Sequence, residues 1–237
     1  MDAVILAGGF GTRLRSVVSD VPKPMASVCG RPFLEILASF LISNGVTRLI
    51  FSTGYMGDVI KNHFGEKFNG VKIIYSHETT PLGTGGALFQ ATQYVSSECF
   101  LVCNGDSFID FSLHDLIKYQ RSQGGNFLLA KEMPINDRYG SIVEQNDRIL
   151  SFVPKNHEVR YNDVINAGCY LLNKNIFDEC PPLAAPFSFE YDYLPKVIRQ
   201  LLFRCYKNTG FFIDIGIPED YCLAQKLLIN YSNVYKN

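Results

Sequence analysis

Apolar residues along the chain come in short bursts, and the bursts alternate between two periods. Asp2 to Ala7 is apolar after its first position and is closed by Gly8, which suits a buried strand feeding a glycine-rich loop. Phe33, Ile36, Leu37, Phe40 and Leu41 then recur at helical spacing, with Gly45 where a helix would be capped. Arg48 to Thr53 reads as a second strand, Met56 to Phe64 as a helix, Val71 to His77 as a third strand and Thr84 to Val95 as another helix. Phe100 to Asn104 follows as an apolar strand running into Gly105 and Asp106. This alternation predicts an α/β fold with a mixed, mostly parallel sheet flanked by helices.

The pattern changes after about residue 125. Asn126 to Glu132, Tyr139 to Glu144, Arg148 to Val153 and Val164 to Leu172 read as strands with little helix between them. Phe189 to Leu202 and Pro218 to Tyr231 read as helices, and Phe211 to Ile213 as a short strand. Asp110 is read as a helix-initiating residue near Phe111 and Ser112. No repeat, low-complexity tract or Pro/Ser-rich linker interrupts the chain. The expectation is one domain over residues 1–237, with a first half of about 1–125 and an α+β second half of about 126–237.

Composition narrows the function classes. The 237 residues are 47% hydrophobic and 19% charged, enough apolar material for a sizeable core. A net charge of −1 with no run of like charges offers no footprint for nucleic acid, and the 13 Tyr and 18 Phe lack basic interleaving. No apolar run reaches the roughly 18 residues of a membrane span, and the first apolar stretch is too short for a signal peptide. The reading is a cytoplasmic protein without a nucleic-acid or membrane partner. Seven cysteines form no CxxC pair and are read as reduced core residues. His63, His77, His114 and His157 show no metal-ligand spacing.

The chemistry concentrates in Leu6-Ala7-Gly8-Gly9-Phe10-Gly11-Thr12-Arg13-Leu14, followed by Pro22-Lys23-Pro24-Met25. Glycines directly after a buried strand let backbone N–H groups approach phosphates or a base, while Arg13 and Lys23 supply positive charge. The dinucleotide pattern GxGxxG fails because Leu14 stands at its third glycine, and the Walker pattern is missing. Asp106 ends a predicted central strand, where open α/β sheets bind ligands, and a carboxylate there suits a hard cation such as Mg²⁺.

These paired motifs, GGxGTRL and a downstream PKP, resemble the sugar-1-phosphate nucleotidylyltransferases over essentially the whole chain. The resemblance implies a Rossmann-like nucleotide-diphospho-sugar transferase fold whose first loop, Leu6, Ala7, Gly8, Gly9, Gly11 and Thr12, wraps a nucleoside triphosphate. It implies Arg13 and Lys23 as the catalytic cations and Asp106 with Asp214 as Mg²⁺ ligands. It places a second glycine turn, Gly83 and Thr84, around the base and sugar. Glu78, just before that turn, offers acceptors for the N1–H and 2-amino donors of guanine, whereas uracil and thymine present one donor; the alternative is a solvated loop carboxylate.

The sugar 1-phosphate side would be Gly140, Lys155, Asn166, Gly168 and Glu190, although the acidic residue usual beside this lysine is absent from Phe152-Val153-Pro154-Lys155. Within the family, PLGTGGAL, NGDSFIDFSL, FSFE and FIDIGIPEDY look most like heptose 1-phosphate guanylyltransferases. That implies GTP use and a GDP-heptose product for bacterial surface polysaccharide. Transfer to mannose or glucose 1-phosphate from GTP, UTP or dTTP is the nearest alternative, and a catalytically silent nucleotide-sugar-binding regulator is the rival of another class. No repeat-rich C-terminal β-helix is expected. The oligomeric state is not readable.

Overall fold

The computed structural model describes residues 1–14, 16–154, 158–207 and 210–234. The elements in chain order are β1 (Asp2–Leu6), β2 (Ser27–Val28), β3 (Arg31–Pro32), α1 (Phe33–Ser43), β4 (Arg48–Thr53), α2 (Gly57–Phe64), β5 (Lys67–Phe68), β6 (Val71–His77), α3 (Gly83–Thr92), β7 (Cys99–Asn104), β8 (Ser107–Ile109) and α4 (Leu113–Gln123). The second half adds β9 (Asn126–Asn136), β10 (Ser141–Gln145), β11 (Arg148–Val153), β12 (Arg160–Asn173), α5 (Ile176–Glu179), α6 (Leu194–Val197), β13 (Phe203–Lys207), β14 (Phe212–Asp214), α7 (Pro218–Leu227) and α8 (Ile229–Val234). A wide helical turn, Phe189–Tyr193, runs into α6, so the long helix expected from Phe189 is two short pieces.

Ten strands form one sheet in the order β10-β11-β13-β9-β12-β7-β1-β4-β6-β5. Its centre, β7-β1-β4-β6, is parallel as the strand–helix alternation requires. The expectation of a mostly parallel sheet is corrected by the second half. There β12 inserts antiparallel between β7 and β9, and β10 and β11 pair antiparallel, leaving β13 with β9 as the one parallel contact among the described residues. The sheet is mixed.

Strand alternation divides the core into two layers. Ala3 and Ile5 point to one side, where α1 and α2 bring Phe33, Phe40, Ile60 and Phe64. Val4 points to the other, where Leu88 and Ala91 of α3 and the wide turn's Phe189 and Tyr193 pack. The strand end at Asp2 is clamped because the β1–β4 register sets it beside Arg48. Arg48 donates to both carboxylate oxygens of Asp2 at 3.0 and 2.6 Å.

Helix α4 begins at Ser112, whose hydroxyl accepts the Asp115 N–H at 3.2 Å. That corrects the reading of Asp110 as the initiating residue; its carboxylate instead accepts the Tyr231 hydroxyl at 2.6 Å. Cys103, Cys169, Cys180 and Cys205 are buried thiols, whereas Cys29 and Cys99 are half-buried and Cys222 is exposed, so the core reading holds for four of the seven. Among the described residues no helix is long and apolar enough to cross a membrane.

Candidate active site

Two carboxylates 108 positions apart in the sequence meet because a small ribbon pairs their neighbours. Strand β14 runs antiparallel to β8 with Asp214 opposite Ser107, and the Ile215 N–H donates to the Asp106 carbonyl at 2.9 Å. Asp106, at the carboxyl end of β7, therefore faces Asp214. Lys23 comes from a tight turn, Lys23–Met25, anchored by buried Pro24 and Met25. Its ammonium, on a side chain only 9% exposed, donates to Asp106 Oδ2 and lies 3.7 Å from Asp214 Oδ1. Arg13 closes the group. A Cβ built on Gly216 would lie 2.7 Å from Asp214 Oδ1, 3.0 Å from Lys23 Nζ and 3.4 Å from Arg13 Nη2, so these three charges converge on one glycine.

Proximity separates the two acids electrostatically. Burial alone would raise Asp106, but the Lys23 ammonium and the Ser107 hydroxyl hold it below the usual carboxylate range. Burial and the charge of Asp106 push Asp214 up to about 6, against the opposing pull of Lys23, the Gly216 N–H and Arg13. Two half-buried carboxylates that resist ionising together make a site that gains from a second positive charge. Among the described residues no group of three or more His, Cys, Asp or Glu gathers as a metal cage. The pair of hard oxygen donors suits Mg²⁺, which takes one or two carboxylates and fills its shell with water and substrate phosphates.

A cavity of about 820 Å³ opens at this cluster. Its lining includes Leu6, Ala7, Gly8, Gly9 and Gly11 together with Glu78, Gly83 and Thr84. Gly11 needs its positive φ of 60° and its missing side chain, since a Cβ would sit 2.8 Å from Lys23 Cβ. Thr12 begins the short helical turn Thr12–Leu14 that carries Arg13. Glu78 is held across the wall: Oε2 accepts the Leu82 N–H at 2.9 Å, and Oε1 occupies the space that a Cβ on Gly8 would enter, 2.4 Å away. Burial raises its pKa, partly offset by the Leu82 hydrogen bond and by His77. The Thr84 hydroxyl is already engaged, accepting the Phe189 N–H at 2.9 Å.

Gly140, Asn166, Gly168 and Glu190 line the same cavity. Asn166 borders the irregularity in the β9–β12 ladder and Gly168 lies within it. The Asn166 amide is committed internally, donating to the Tyr170 hydroxyl at 2.7 Å and accepting the Gly168 N–H at 2.9 Å. Glu190 Oε1 accepts from Tyr170 at 2.9 Å and from Asn104 at 3.2 Å. Burial and the nearby Asp106 raise the Glu190 pKa against those two hydrogen bonds. Lys155 and His157 lie outside the described residues. Of the other histidines, His63 meets Glu35 at 2.7 Å, His77 meets Thr53 at 3.4 Å and His114 meets Asp115 at 3.2 Å.

Residues beyond the sequence-based set also line the cavity. Arg138 donates to Asp220 and, at 2.6 Å, to the Tyr139 hydroxyl, while the Tyr139 ring packs edge-on against Phe212 of β14 at 5.4 Å. Asn104, Tyr191 and Ser52 are among the other lining residues. The sequence signal available for Arg138 was its place beside Tyr139-Gly140; nothing local pointed to Ser52.

The Nucleotidyl transferase family model matches residues 2–230. The chain is 41% identical over 232 residues to the D-glycero-alpha-D-manno-heptose 1-phosphate guanylyltransferase of Aneurinibacillus thermoaerophilus, covering 98% of this chain and 100% of that one. It is also 41% identical over 222 residues to the protein of the same name from Campylobacter jejuni, covering 93% and 97%. Among solved structures, HddC from Yersinia pseudotuberculosis complexed with GMP-PN is similar at 38% identity and a TM-score of 0.82, covering 95% of this chain and 98% of that one. The matched residues include the first glycine loop, Asp106 and Asp214: the chain belongs to the Nucleotidyl transferase family, as a sugar-1-phosphate nucleotidylyltransferase.

Proposed function

We propose that the protein joins GTP to D-glycero-α-D-manno-heptose 1-phosphate, giving GDP-heptose and pyrophosphate. The observation that carries the proposal is the convergence of Arg13, Lys23, Asp106 and Asp214 in the wall of one large cavity. The same cavity is lined by the bare glycine backbone that a triphosphate and base need and by polar groups suited to a sugar. We read residues 1–237 as one domain, with a nucleotide half of about 1–125 and a sugar half of about 126–237. The guanylyl and heptose assignments draw on the names of the two 41% relatives and on the GMP-PN complex of the Yersinia protein.

An oxygen of the sugar 1-phosphate attacks the α-phosphorus of GTP. A new P–O bond forms as the α–β bridging P–O bond breaks, and pyrophosphate leaves with the electron pair. The attacking phosphate is ionised at neutral pH, so no side-chain nucleophile is needed, and the protein's work is alignment and charge neutralisation. Lys23 and Arg13 hold positive charge where the phosphates crowd. Asp106 and Asp214 would hold Mg²⁺, which would supply further neutralisation of the triphosphate. Gly140, Gly168 and Glu190 present the sugar, and Glu78 accepts from guanine's N1–H and 2-amino edge.

Purified protein tested with four nucleoside triphosphates against heptose, mannose and glucose 1-phosphates, scored by pyrophosphate release, decides the reading. GTP with the heptose 1-phosphate is expected to be the best pair. A higher kcat/KM for UTP or dTTP, or for a hexose 1-phosphate, would replace it, and no release from any pair would favour a silent binder.

A further inference from the structure

Ser52 is a buried hydroxyl without a hydrogen-bond partner among the described residues. The ladder sets Leu6 beside Ser52 and Ser52 beside Ser76, each two residues before Gly8, Gly54 and Glu78, which meet just past the strand ends. Ser52 is 1% exposed and forms part of the cavity wall, yet its Oγ has no partner among the described residues. Its neighbours are satisfied: the Ser76 hydroxyl accepts from Gln90 at 3.1 Å, and Glu78 Oε2 accepts the Leu82 N–H. Buried polar groups are nearly always hydrogen-bonded, so an orphan in a ligand pocket marks a place where the ligand supplies the partner. An alanine would fill the same space without leaving a hydroxyl unpaired.

The edge that Glu78 faces needs one more acceptor than Glu78 provides. Guanine carries three hydrogens there, one on N1 and two on the 2-amino group. A carboxylate in the base plane takes N1–H and the adjacent amino hydrogen. The second amino hydrogen points away from N1, and in a closed pocket it requires an acceptor of its own.

We propose that Ser52 Oγ accepts that second amino hydrogen and makes Ser52 a specificity-determining residue for the 2-amino group of guanine. The inference rests on the guanine reading above. Ser52 then separates guanine from hypoxanthine, which keeps N1–H and lacks the amino group, while Glu78 separates both from pyrimidines.

Titration calorimetry with GTP, ITP and UTP on wild type, Ser52→Ala and Glu78→Gln tests this without depending on turnover. Wild type is expected to bind GTP more tightly than ITP, and ITP more tightly than UTP. Ser52→Ala should weaken GTP by about three- to tenfold, the range of one neutral hydrogen bond, and change ITP by less than about twofold. Glu78→Gln should weaken both purines. Equal effects of Ser52→Ala on GTP and ITP, or no effect, would overturn the Ser52 assignment and leave the guanine reading intact. Wild type binding UTP as tightly as GTP would overturn the guanine reading and Ser52's role with it. The melting temperature of Ser52→Ala should not fall, and a drop of several degrees would show that the hydroxyl has a partner in the folded protein, which also sinks the proposal.

Discussion

Gly216→Ala separates the fold from the chemistry more cleanly than removing a charge. Gly216 has a φ outside the left-handed region, so the backbone accepts alanine, and the reduced freedom of the unfolded chain favours it by about 0.4–1 kcal/mol. The cost falls on the site. The new Cβ would lie 2.7 Å from Asp214 Oδ1 and 3.0 Å from Lys23 Nζ. With ordinary contact near about 3.5 Å, the carboxylate must retreat by about 0.8 Å and the ammonium by about 0.5 Å. Both are ends of side chains that can swing, so the melting temperature should stay within about 2 °C of wild type. Misplacement on the order of 1 Å in a site that works by alignment costs up to about a hundredfold in rate. We expect kcat for pyrophosphate release to fall roughly 10- to 100-fold, equivalent to about 1.4–2.7 kcal/mol of barrier. Single-turnover rates with saturating substrates, beside a thermal melt, measure the two separately. A stable variant with kcat within twofold of wild type would mean that the charges around Gly216 are not the reacting centre.

Three further outcomes follow from the same geometry. Asp106→Asn and Asp214→Asn should each lower turnover by orders of magnitude with the fold retained, and near-normal turnover of either at saturating Mg²⁺ would remove that residue from the site. Lys23→Met should lower the single-turnover rate more than nucleotide affinity, since an interaction that strengthens in the transition state appears in kcat; a loss of affinity alone would make Lys23 a ground-state binder. Burial pushes Asp2 up, but Arg48 and the Ser96 and Ser97 N–H groups hold it near about 2, below its ordinary 3.8. That depressed value contributes about 2 kcal/mol of stability above pH 4, lost as pH falls from about 4 toward 2. Asp2→Asn should therefore lower the melting temperature by about 4–8 °C at pH 7 and by little at pH 2, and an equal drop at both would refute the linkage.

The parallel centre of the sheet was legible because each of its strands is a short apolar run ending at a glycine or polar turn; Arg48–Thr53 and Val71–His77 fall where the pattern put them. Strand direction in the second half was not legible, because period-2 alternation is the same for parallel and antiparallel neighbours. A helix start was legible near Ser112, but the course of α4 was not, because only Leu113 and Leu116 are buried in an otherwise polar segment. Strand β13 alternates properly, with Phe203 and Cys205 buried, but its five residues follow directly on a helical pattern. At the site, the glycines and charges of the first loop announce themselves locally. Arg138 takes its orientation from Asp220, 82 positions away, and Ser52 gains meaning only from a register that sets it beside Ser76, two residues before Glu78.

In the proposed reaction the α-phosphoryl group of GTP passes directly to a sugar 1-phosphate beside Arg13, Lys23, Asp106 and Asp214. GTP labelled at the α-phosphorus, incubated with the protein, Mg²⁺ and D-glycero-α-D-manno-heptose 1-phosphate, tests it most directly. Direct transfer puts label in GDP-heptose, none in pyrophosphate and none on the protein after denaturation. Label retained covalently on the protein during turnover, or released as free GMP without sugar, would contradict it.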